Sequence, residues 1–320
     1  MEIDSLPRVS LAALPTPVHE LPRLSAQLGR KLLIKRDDLT GLGFGGNKVR
    51  KLELLMGTAI KQGADTVITG GAPQSNHCRQ TAAAAACCGI RCALVLAGPP
   101  QPANTGNLLL DSLFGAGLVW AGDRNRDLVM QETYDKERSA GRFPYLIPYG
   151  GSNRLGAAAY ALAMRELAGQ GIHPDWIIFA SSSGGTQAGL ILGARLLNLE
   201  TRIYGISVDP TAEVLRGIIL RLISDTALVL NIQPDVTADT LLVDDRFLGS
   251  GYGRMDQREL EAIRLFARSE GILLDPVYTG RAAGGMLEMI HNGEIPPSDT
   301  ILFWHTGGNP ALFAYAESLL

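Results

Sequence analysis

Long apolar runs, a strong net charge and dispersed cysteines are all missing from this sequence. No run of about 18 apolar residues occurs, so no membrane-spanning helix is expected. The net charge is −3 without a basic stripe, which argues against nucleic acid as a partner. The four cysteines all lie within 78–92 and contain no C-x-x-C pair, which is unlike a disulfide framework or a zinc site. The first 25 residues lack the basic and apolar regions of a signal peptide, so we expect a cytoplasmic protein without a metal.

Two common nucleotide-binding motifs are also missing. Segment 41–46 (GLGFGG) has G-x-G without the spacing of G-x-G-x-x-G, and segment 181–189 (SSSGGTQAG) lacks the lysine of a Walker A loop. However, the small residues of SSSGGTQAG lie where a strand is expected to pass into a helix. The N–H groups of Gly184, Gly185 and Thr186 could therefore bind a phosphate. A phosphate site without the Walker lysine suggests a phosphorylated cofactor.

The sequence does contain ample material for a core, since 46% of its 320 residues are hydrophobic. Short aliphatic segments alternate with helical patterns, which predicts an α/β fold whose parallel sheet has helices on both faces. The predicted strands are 31–38, 65–71, 92–98, 118–122, 175–185, 202–209 and 300–308. The predicted helices are 47–62, 76–88, 105–114, 124–139, 154–170, 186–197, 211–225, 255–270 and 280–291.

Three of the predicted strands end in glycine clusters, in segments 67–77, 177–189 and 302–311. Each cluster alone could be only a tight turn between a strand and a helix. In open α/β sheets, however, ligands bind at the carboxyl ends of strands, where helix N-termini converge. Three such clusters in one chain predict that they are walls of one site.

A lysine follows the glycine-rich turn in segment 43–53 (GFGGNKVRKLE). Lys48 is therefore a candidate for a Schiff base with an aldehyde cofactor. Cations are disfavoured at a helix N-terminus, so the three basic residues Lys48, Arg50 and Lys51 at the start of this predicted helix require an explanation. We interpret Arg50 and Lys51 as plain surface charges or as partners of Glu53.

Polar residues also open two further predicted helices. Ser75 is a natural N-cap, and the helix start that includes Asn76 and His77 could bind a substrate carboxylate. Capping alone would explain Ser75 equally well. Tyr278 could stack on an aromatic ring or move a proton, although a half-buried core tyrosine is the alternative.

Five motifs together resemble the D-cysteine desulfhydrase and 1-aminocyclopropane-1-carboxylate (ACC) deaminase family. They are KRDDLTGLGFGGNKVRKLE, QSNHCRQTAA, SSSGGTQAG, LDPVYTG and HTGGNPALFAY, in family order from 35 to 315. This family is a branch of the fold-type II, tryptophan-synthase-β-like enzymes that use pyridoxal 5′-phosphate (PLP). The resemblance implies two open twisted α/β domains with PLP between them. The smaller would be 48–157, and the larger would combine 1–47 with 158–320. It also implies a homodimer.

The resemblance further implies roles for individual residues. Lys48 would carry PLP, Asn76 would bind the ring hydroxyl and Thr306 would contact the ring nitrogen. The implied phosphate-binding residues are Ser183, Gly184, Gly185 and Thr186. The implied substrate-binding residues are Ser75, Asn76, His77, Tyr252, Tyr278 and Thr279. The candidate catalytic residues are Lys48, Ser75 and Tyr278.

Two positions favour one activity within the family. ACC deaminases usually carry Glu where this chain has Thr279 and Leu where it has Thr306. A neutral hydroxyl near the ring nitrogen makes a weaker electron sink, which suffices for eliminating a good leaving group. We therefore expect α,β-elimination of D-cysteine, a small amino-acid substrate, to pyruvate, sulfide and ammonia. L-cysteate sulfo-lyase and ACC deaminase are the alternatives within the family, and a non-catalytic phosphometabolite-binding protein is the alternative from another class.

Overall fold

The computed structural model describes residues 2–101 and 105–320 and contains two separate sheets. The strand order is β1-β2-β10-β7-β8-β9 in the six-stranded sheet and β5-β4-β3-β6 in the four-stranded sheet. All neighbouring strands pair in parallel except β1 and β2, which are antiparallel. The strands are β1 (Val18–Glu20), β2 (Leu32–Arg36), β3 (Thr66–Gly71), β4 (Arg91–Leu96), β5 (Gly117–Trp120), β6 (Pro144–Leu146), β7 (Trp176–Ser181), β8 (Arg202–Ser207), β9 (Val243–Asp244) and β10 (Ile301–His305).

Helices cover both faces of the sheets. They are α1 (Pro22–Leu28), α2 (Lys48–Lys61), α3 (Asn76–Cys87), α4 (Gly106–Leu113), α5 (Arg126–Ser139), α6 (Arg154–Gly169), α7 (Gly185–Leu196), α8 (Ala212–Leu230), α9 (Gln257–Glu270), α10 (Thr279–His291) and α11 (Ala316–Leu319). None of the helices in the described ranges has the length and hydropathy needed to cross a bilayer.

The predicted α/β class is confirmed, and each predicted helix is present. Their ends differ from the predicted ones by two residues at most, except that α8 continues to Leu230, five residues beyond its predicted end. The prediction missed α1, α11 and the short strands β1, β6 and β9. These strands are only two or three residues long, too short for a hydrophobic period to show.

Helix α2 packs against the cores of both sheets. Leu52 and Leu55 belong to the core under the four-stranded sheet, whereas Leu54 belongs to the core that α6, α7 and α8 share. All strands of the four-stranded sheet lie between residues 66 and 146. We propose domains of 48–157 and of 1–47 with 158–320 on this basis; positions 1 and 102–104 within those ranges lie outside the described residues.

A buried ionic cluster fixes α2 against the larger sheet. Asp37, directly after β2, accepts hydrogen bonds from Arg50 Nε (3.0 Å) and Nη2 (2.8 Å). The Tyr160 hydroxyl (2.7 Å) and the Trp304 indole (2.8 Å) also donate to this carboxylate. Burial alone would raise the pKa of Asp37, but the Arg50 guanidinium and these donors hold it below its usual value. Arg50 also pairs with Glu166 of α6 at 2.9 Å, so one guanidinium joins three elements.

The interpretation of Arg50 and Lys51 as surface charges or partners of Glu53 is therefore wrong. Both side chains are buried, at 4% and 1% exposure. Glu53 pairs with Arg8 and accepts the backbone N–H groups of Leu11 and Ala12 at 2.9 and 3.0 Å. Sequence could not show this, because the partners lie far away in the chain.

Replacing Arg50 with methionine should lower the free energy of unfolding by about 3–5 kcal/mol, because Asp37 would remain buried without its cation. Arg124→Met, which breaks the exposed Arg124–Glu132 pair, should cost less than about 1 kcal/mol. Urea denaturation of both variants measures the difference. Equal small losses would contradict the importance of the buried pair.

Candidate active site

The three glycine clusters meet at one cavity between the two sheets, which is partly open to solvent. Its walls come from the start of α2, the start of α3, the segment after β6, the turn between β7 and α7, and the residues after β10. The lining residues are Asn47, Lys48, Ser75, Asn76, His77, Tyr149, Gly150, Ala180, Ser181, Ser182, Ser183, Gly184, Thr186, Tyr278 and Thr306.

Lys48 lies at the first position of α2, half-buried in the cavity wall. The turn before it is fixed by Asn47, whose N–H donates to the Thr306 carbonyl at 2.9 Å. Gly46 has φ +127°, and a Cβ there would come within 2.5 Å of Gln80 Nε2, so this turn requires glycine. Burial lowers the pKa of the Lys48 amine to about 8, which makes a neutral, nucleophilic amine accessible near neutral pH.

A second lysine, Lys51, lies on the same side of α2 one turn further on. Its Nζ donates to the Gly150 carbonyl at 3.3 Å and to Ser152 Oγ at 3.1 Å. Burial lowers its pKa well below the usual value, and the charge of Lys48 lowers it further. A Cβ on Gly185 would lie 3.1 Å from this Nζ, so Lys51 is adjacent to the start of α7. Lys51 was not among the site residues predicted from the sequence, although its spacing of three residues from Lys48 places both side chains on one side of a helix.

The turn from β7 into α7 forms a small-residue cradle. Gly184 caps the helix with φ +76°, a conformation that favours glycine. The first-turn N–H groups of a helix have no acceptor within it, so Thr186 presents its N–H here. The Thr186 hydroxyl accepts from Asn47 Nδ2 at 3.3 Å, and Ser183 Oγ lies 2.8 Å from Ser152 Oγ. Gly185 begins the helix but is not among the lining residues.

The start of α3 presents Ser75, Asn76 and His77. Ser75 Oγ accepts the Cys78 N–H at 3.2 Å, which confirms it as the N-cap and leaves its hydroxyl hydrogen free to donate. The Thr69 hydroxyl donates to the Ile147 carbonyl (2.8 Å), so it must accept from His77 Nε2 (2.9 Å).

Nδ1 of His77 is then an unprotonated acceptor. Burial lowers the pKa of His77 well below its usual value, and the charges of Lys48, Lys51 and Arg126 lower it further. The imidazole is therefore neutral and offers a lone pair rather than a proton.

Three tyrosines surround the opposite side of the cavity. The Tyr278 and Tyr252 hydroxyls are 2.5 Å apart, and their rings meet edge to face at 6.0 Å. Burial raises the pKa of both phenols above their usual value, so both stay protonated. Tyr252 borders the cavity through Tyr278 without lining it. Tyr149, which sequence analysis missed, lines the cavity and stacks under Arg126 at 4.5 Å.

Thr279 lies outside the cavity wall and is fully buried. Its hydroxyl donates to Asp275 Oδ1 at 2.7 Å and accepts the Asp275 N–H at 2.7 Å. The Asp275 carboxylate also accepts the N–H groups of Val277, Tyr278 and Thr279. Thr279 and Asp275 thus hold the turn that presents Tyr278 to the cavity.

Comparison with known proteins defines the class. The family model for pyridoxal-phosphate dependent enzymes matches residues 9–307, and the chain belongs to this family. A crystal structure of an ACC deaminase homologue is 39% identical, with a TM-score of 0.93 over 99% of this chain and 97% of that chain. This match agrees with the predicted ACC deaminase and D-cysteine desulfhydrase branch.

More distant structures share the fold alone. Threonine deaminase isoform 2 from Solanum lycopersicum is 16% identical, with a TM-score of 0.70 over 99% of this chain and 85% of that chain. Maize serine racemase is 19% identical, with a TM-score of 0.65 over 95% of this chain and 91% of that chain. The predicted PLP fold type II is confirmed.

PLP is therefore the cofactor, and the cavity suits it. Lys48 offers an amine of lowered pKa, and the start of α7 offers N–H donors to a phosphate. Among the described residues, the Ser181 and Ser182 hydroxyls are buried without a hydrogen-bond partner. Buried hydroxyls rarely stay unpaired, so these donors indicate that a polar group belongs beside them.

The lowered pKa of Lys48 can be measured on the protein freed of PLP. Labelling of Lys48 by acetic anhydride should rise with pH and level off above about 8, because the neutral amine is the reactive form. Quantitative mass spectrometry follows the labelled peptide, with a free lysine peptide of pKa about 10.4 as the reference. Labelling of Lys48 that keeps rising through pH 10 alongside the reference would contradict the assignment.

Proposed function

We propose that this PLP-dependent enzyme is a carbon–sulfur lyase that converts D-cysteine and water to pyruvate, hydrogen sulfide and ammonia. One observation carries the proposal: among the described residues, no carboxylate lines the cavity, and the neutral Thr306 lies at the end of β10. The nearby carboxylate of Asp275 is occupied by the turn before α10. A neutral partner for the ring nitrogen suits departure of a good leaving group better than opening of a cyclopropane.

In this proposal, the start of α7 and the buried Lys51 hold the cofactor phosphate. Asn76 would bind the ring hydroxyl, Thr306 would bind the ring nitrogen and Lys48 would be the residue to which PLP attaches. PLP, when bound, supplies the electron sink that stabilises negative charge at the substrate Cα.

The substrate carboxylate binds at the start of α3, through Ser75 and the backbone N–H groups of the first turn. The imidazole of His77 offers a lone pair, so its contribution there is to line the pocket rather than to bind an anion. The neutral amine of Lys48 accepts the Cα proton, with Ser75 or Tyr278 as a relay. Tyr278 lines the cavity and remains protonated, so its phenol can donate a proton toward the departing sulfur, with the Tyr252 hydroxyl behind it as its hydrogen-bond partner.

ACC deamination is the second candidate, because the similar crystal structure is that of an ACC deaminase homologue. If the enzyme is a carbon–sulfur lyase, L-cysteate is the alternative substrate. Arg126 is not itself a lining residue, but it stacks on Tyr149 of the cavity wall, and its positive charge would favour a sulfonate. We propose the enzyme to be cytoplasmic and a homodimer, as expected for its branch of the family.

A product panel tests the substrate. Holoenzyme is incubated with D-cysteine, L-cysteine, L-cysteate and β-chloro-D-alanine, with pyruvate as the readout, and with ACC, with 2-oxobutyrate as the readout. The proposal predicts pyruvate and sulfide from D-cysteine. Turnover of ACC without turnover of the other substrates would refute the inference that the neutral Thr306 favours elimination over opening of a cyclopropane.

Tyr278→Phe should lower kcat on D-cysteine by about 10²–10⁴, the range for loss of a positioned proton donor. Tyr134→Phe is the matched control, since this half-buried tyrosine of α5 does not line the cavity. Steady-state kinetics measures kcat for both variants. An unchanged PLP absorbance shows that a lower kcat does not result from loss of the cofactor. Equal activity of the two variants would remove Tyr278 from the chemistry.

A further inference from the structure

A buried arginine behind the cavity wall forms no ion pair with any of the described residues. Arg79 of α3 is fully buried, yet its guanidinium binds only neutral acceptors within the described part of the chain. Its Nε donates to Asn107 Oδ1 at 2.7 Å, its Nη2 to the Gly45 carbonyl at 3.1 Å and its Nη1 to the Gly43 carbonyl. The carboxyl nearby is Asp111, neither of whose oxygens bonds to the guanidinium; burial raises the pKa of this carboxyl to about 8, and the charge of Arg79 opposes that rise. Burying a guanidinium cation without an anionic partner costs free energy, so the position of Arg79 requires an explanation.

Arginine can only donate hydrogen bonds, and this determines the orientation of two amides in series. Asn107 must turn its oxygen toward Arg79, so its Nδ2 points the other way. That Nδ2 donates to Asn76 Oδ1 at 2.9 Å and to the Gln74 carbonyl at 2.7 Å. Asn76 must then turn its oxygen toward Asn107. Its NH₂ group, a donor, is left for the cavity that Asn76 lines.

The same guanidinium holds the turn that carries the reactive lysine. Gly43 and Gly45, in the turn before Lys48, have φ of +53° and +66°, which are backbone conformations outside a regular helix or strand. Arg79 binds both carbonyls, and Lys48 follows three residues after Gly45. One side chain therefore fixes both the turn before Lys48 and, through Asn107, the amide of Asn76.

We infer that Arg79 and Asn107 are positioning residues that fix the amide of Asn76, so that it presents a donor and not an acceptor to the ring oxygen of PLP. Neither residue lines the cavity. The inference rests on the proposed contact between Asn76 and that oxygen, and does not depend on which amino acid is the substrate. A ring oxygen that carries negative charge is stabilised by the NH₂ group and repelled by the carbonyl oxygen.

Asn107→Asp tests this with almost no change in shape. The carboxylate still accepts from Arg79 but cannot donate, so Asn76 must turn its NH₂ toward residue 107 and its oxygen toward the cavity. In the holoenzyme, the pH midpoint of the cofactor's visible absorbance should shift by about half a pH unit or more. PLP should also bind about tenfold more weakly. The shift should have the same direction as in Asn76→Ala.

Val67→Ala is the control for a merely structural effect, because it opens a cavity in the core of the four-stranded sheet. It should lower Tm and leave the spectral midpoint unchanged. A wild-type midpoint in folded Asn107→Asp overturns the inference. If Asn76→Ala alone shifts the midpoint, the orientation argument is wrong; if neither variant does, the contact itself is wrong.

A second pair of variants, both at position 79, tests the inference if Asn107→Asp does not fold. Lysine at position 79 is still only a donor, so Arg79→Lys should retain the wild-type midpoint. Arg79→Met frees the Asn107 amide to rotate and should shift the midpoint as Asn76→Ala does. Identical midpoints in the two Arg79 variants would overturn the inference.

Discussion

The buried ion pair between Asp37 and Arg50 is the contact on which the geometry of the cavity depends. Asp37 follows β2 of the larger sheet, and Arg50 lies in α2, two residues after Lys48. Tyr160 and Trp304 complete the hydrogen bonds of the carboxylate, so the pair is buried without an unsatisfied oxygen. A buried ion pair tolerates little displacement, because separating the two side chains leaves a buried charge without its partner. It therefore fixes the position and rotation of α2.

The rotation of α2 about its axis places its charged side chains on two sides of the helix, and the two sides have different roles. Arg50 and Glu53 are three residues apart and share one side, where they bind Asp37 and Arg8 respectively. Lys48 and Lys51 share another side, toward the start of α7. Burial lowers the pKa of both amines, so two close lysines can coexist without two full charges. The ion pair on one side of the helix thus sets the positions of both lysine amines on the other.

Much of this arrangement could be predicted from sequence, for local reasons. Helix ends were predictable because Ser75, Gly184 and the turn before Lys48 signal them within a few residues. The grouping of the glycine clusters after β7 and β10 followed from the rule that parallel strands of one sheet end at one edge, whereas the cluster after β3 belongs to the other sheet, to which this rule does not extend. The family and its PLP cofactor followed from motifs spread over the chain.

The rest depended on contacts between residues far apart in sequence. Glu166 and Asp37 bind Arg50 from 116 and 13 residues away, so no local pattern could reveal that Arg50 is buried. Tyr149 lies after a three-residue strand that periodicity does not detect. Thr279 follows Tyr278 in the motif, but its hydroxyl binds Asp275 instead of facing the cavity.

The most direct test of the account is to identify which lysine of α2 carries the cofactor. Holoenzyme reduced with borohydride retains PLP covalently, and peptide mapping by mass spectrometry locates it. The account predicts the label on Lys48. A label on Lys51 would contradict it, because Lys51 would then be the reactive amine rather than the partner of Gly150 and Ser152 beside the phosphate cradle.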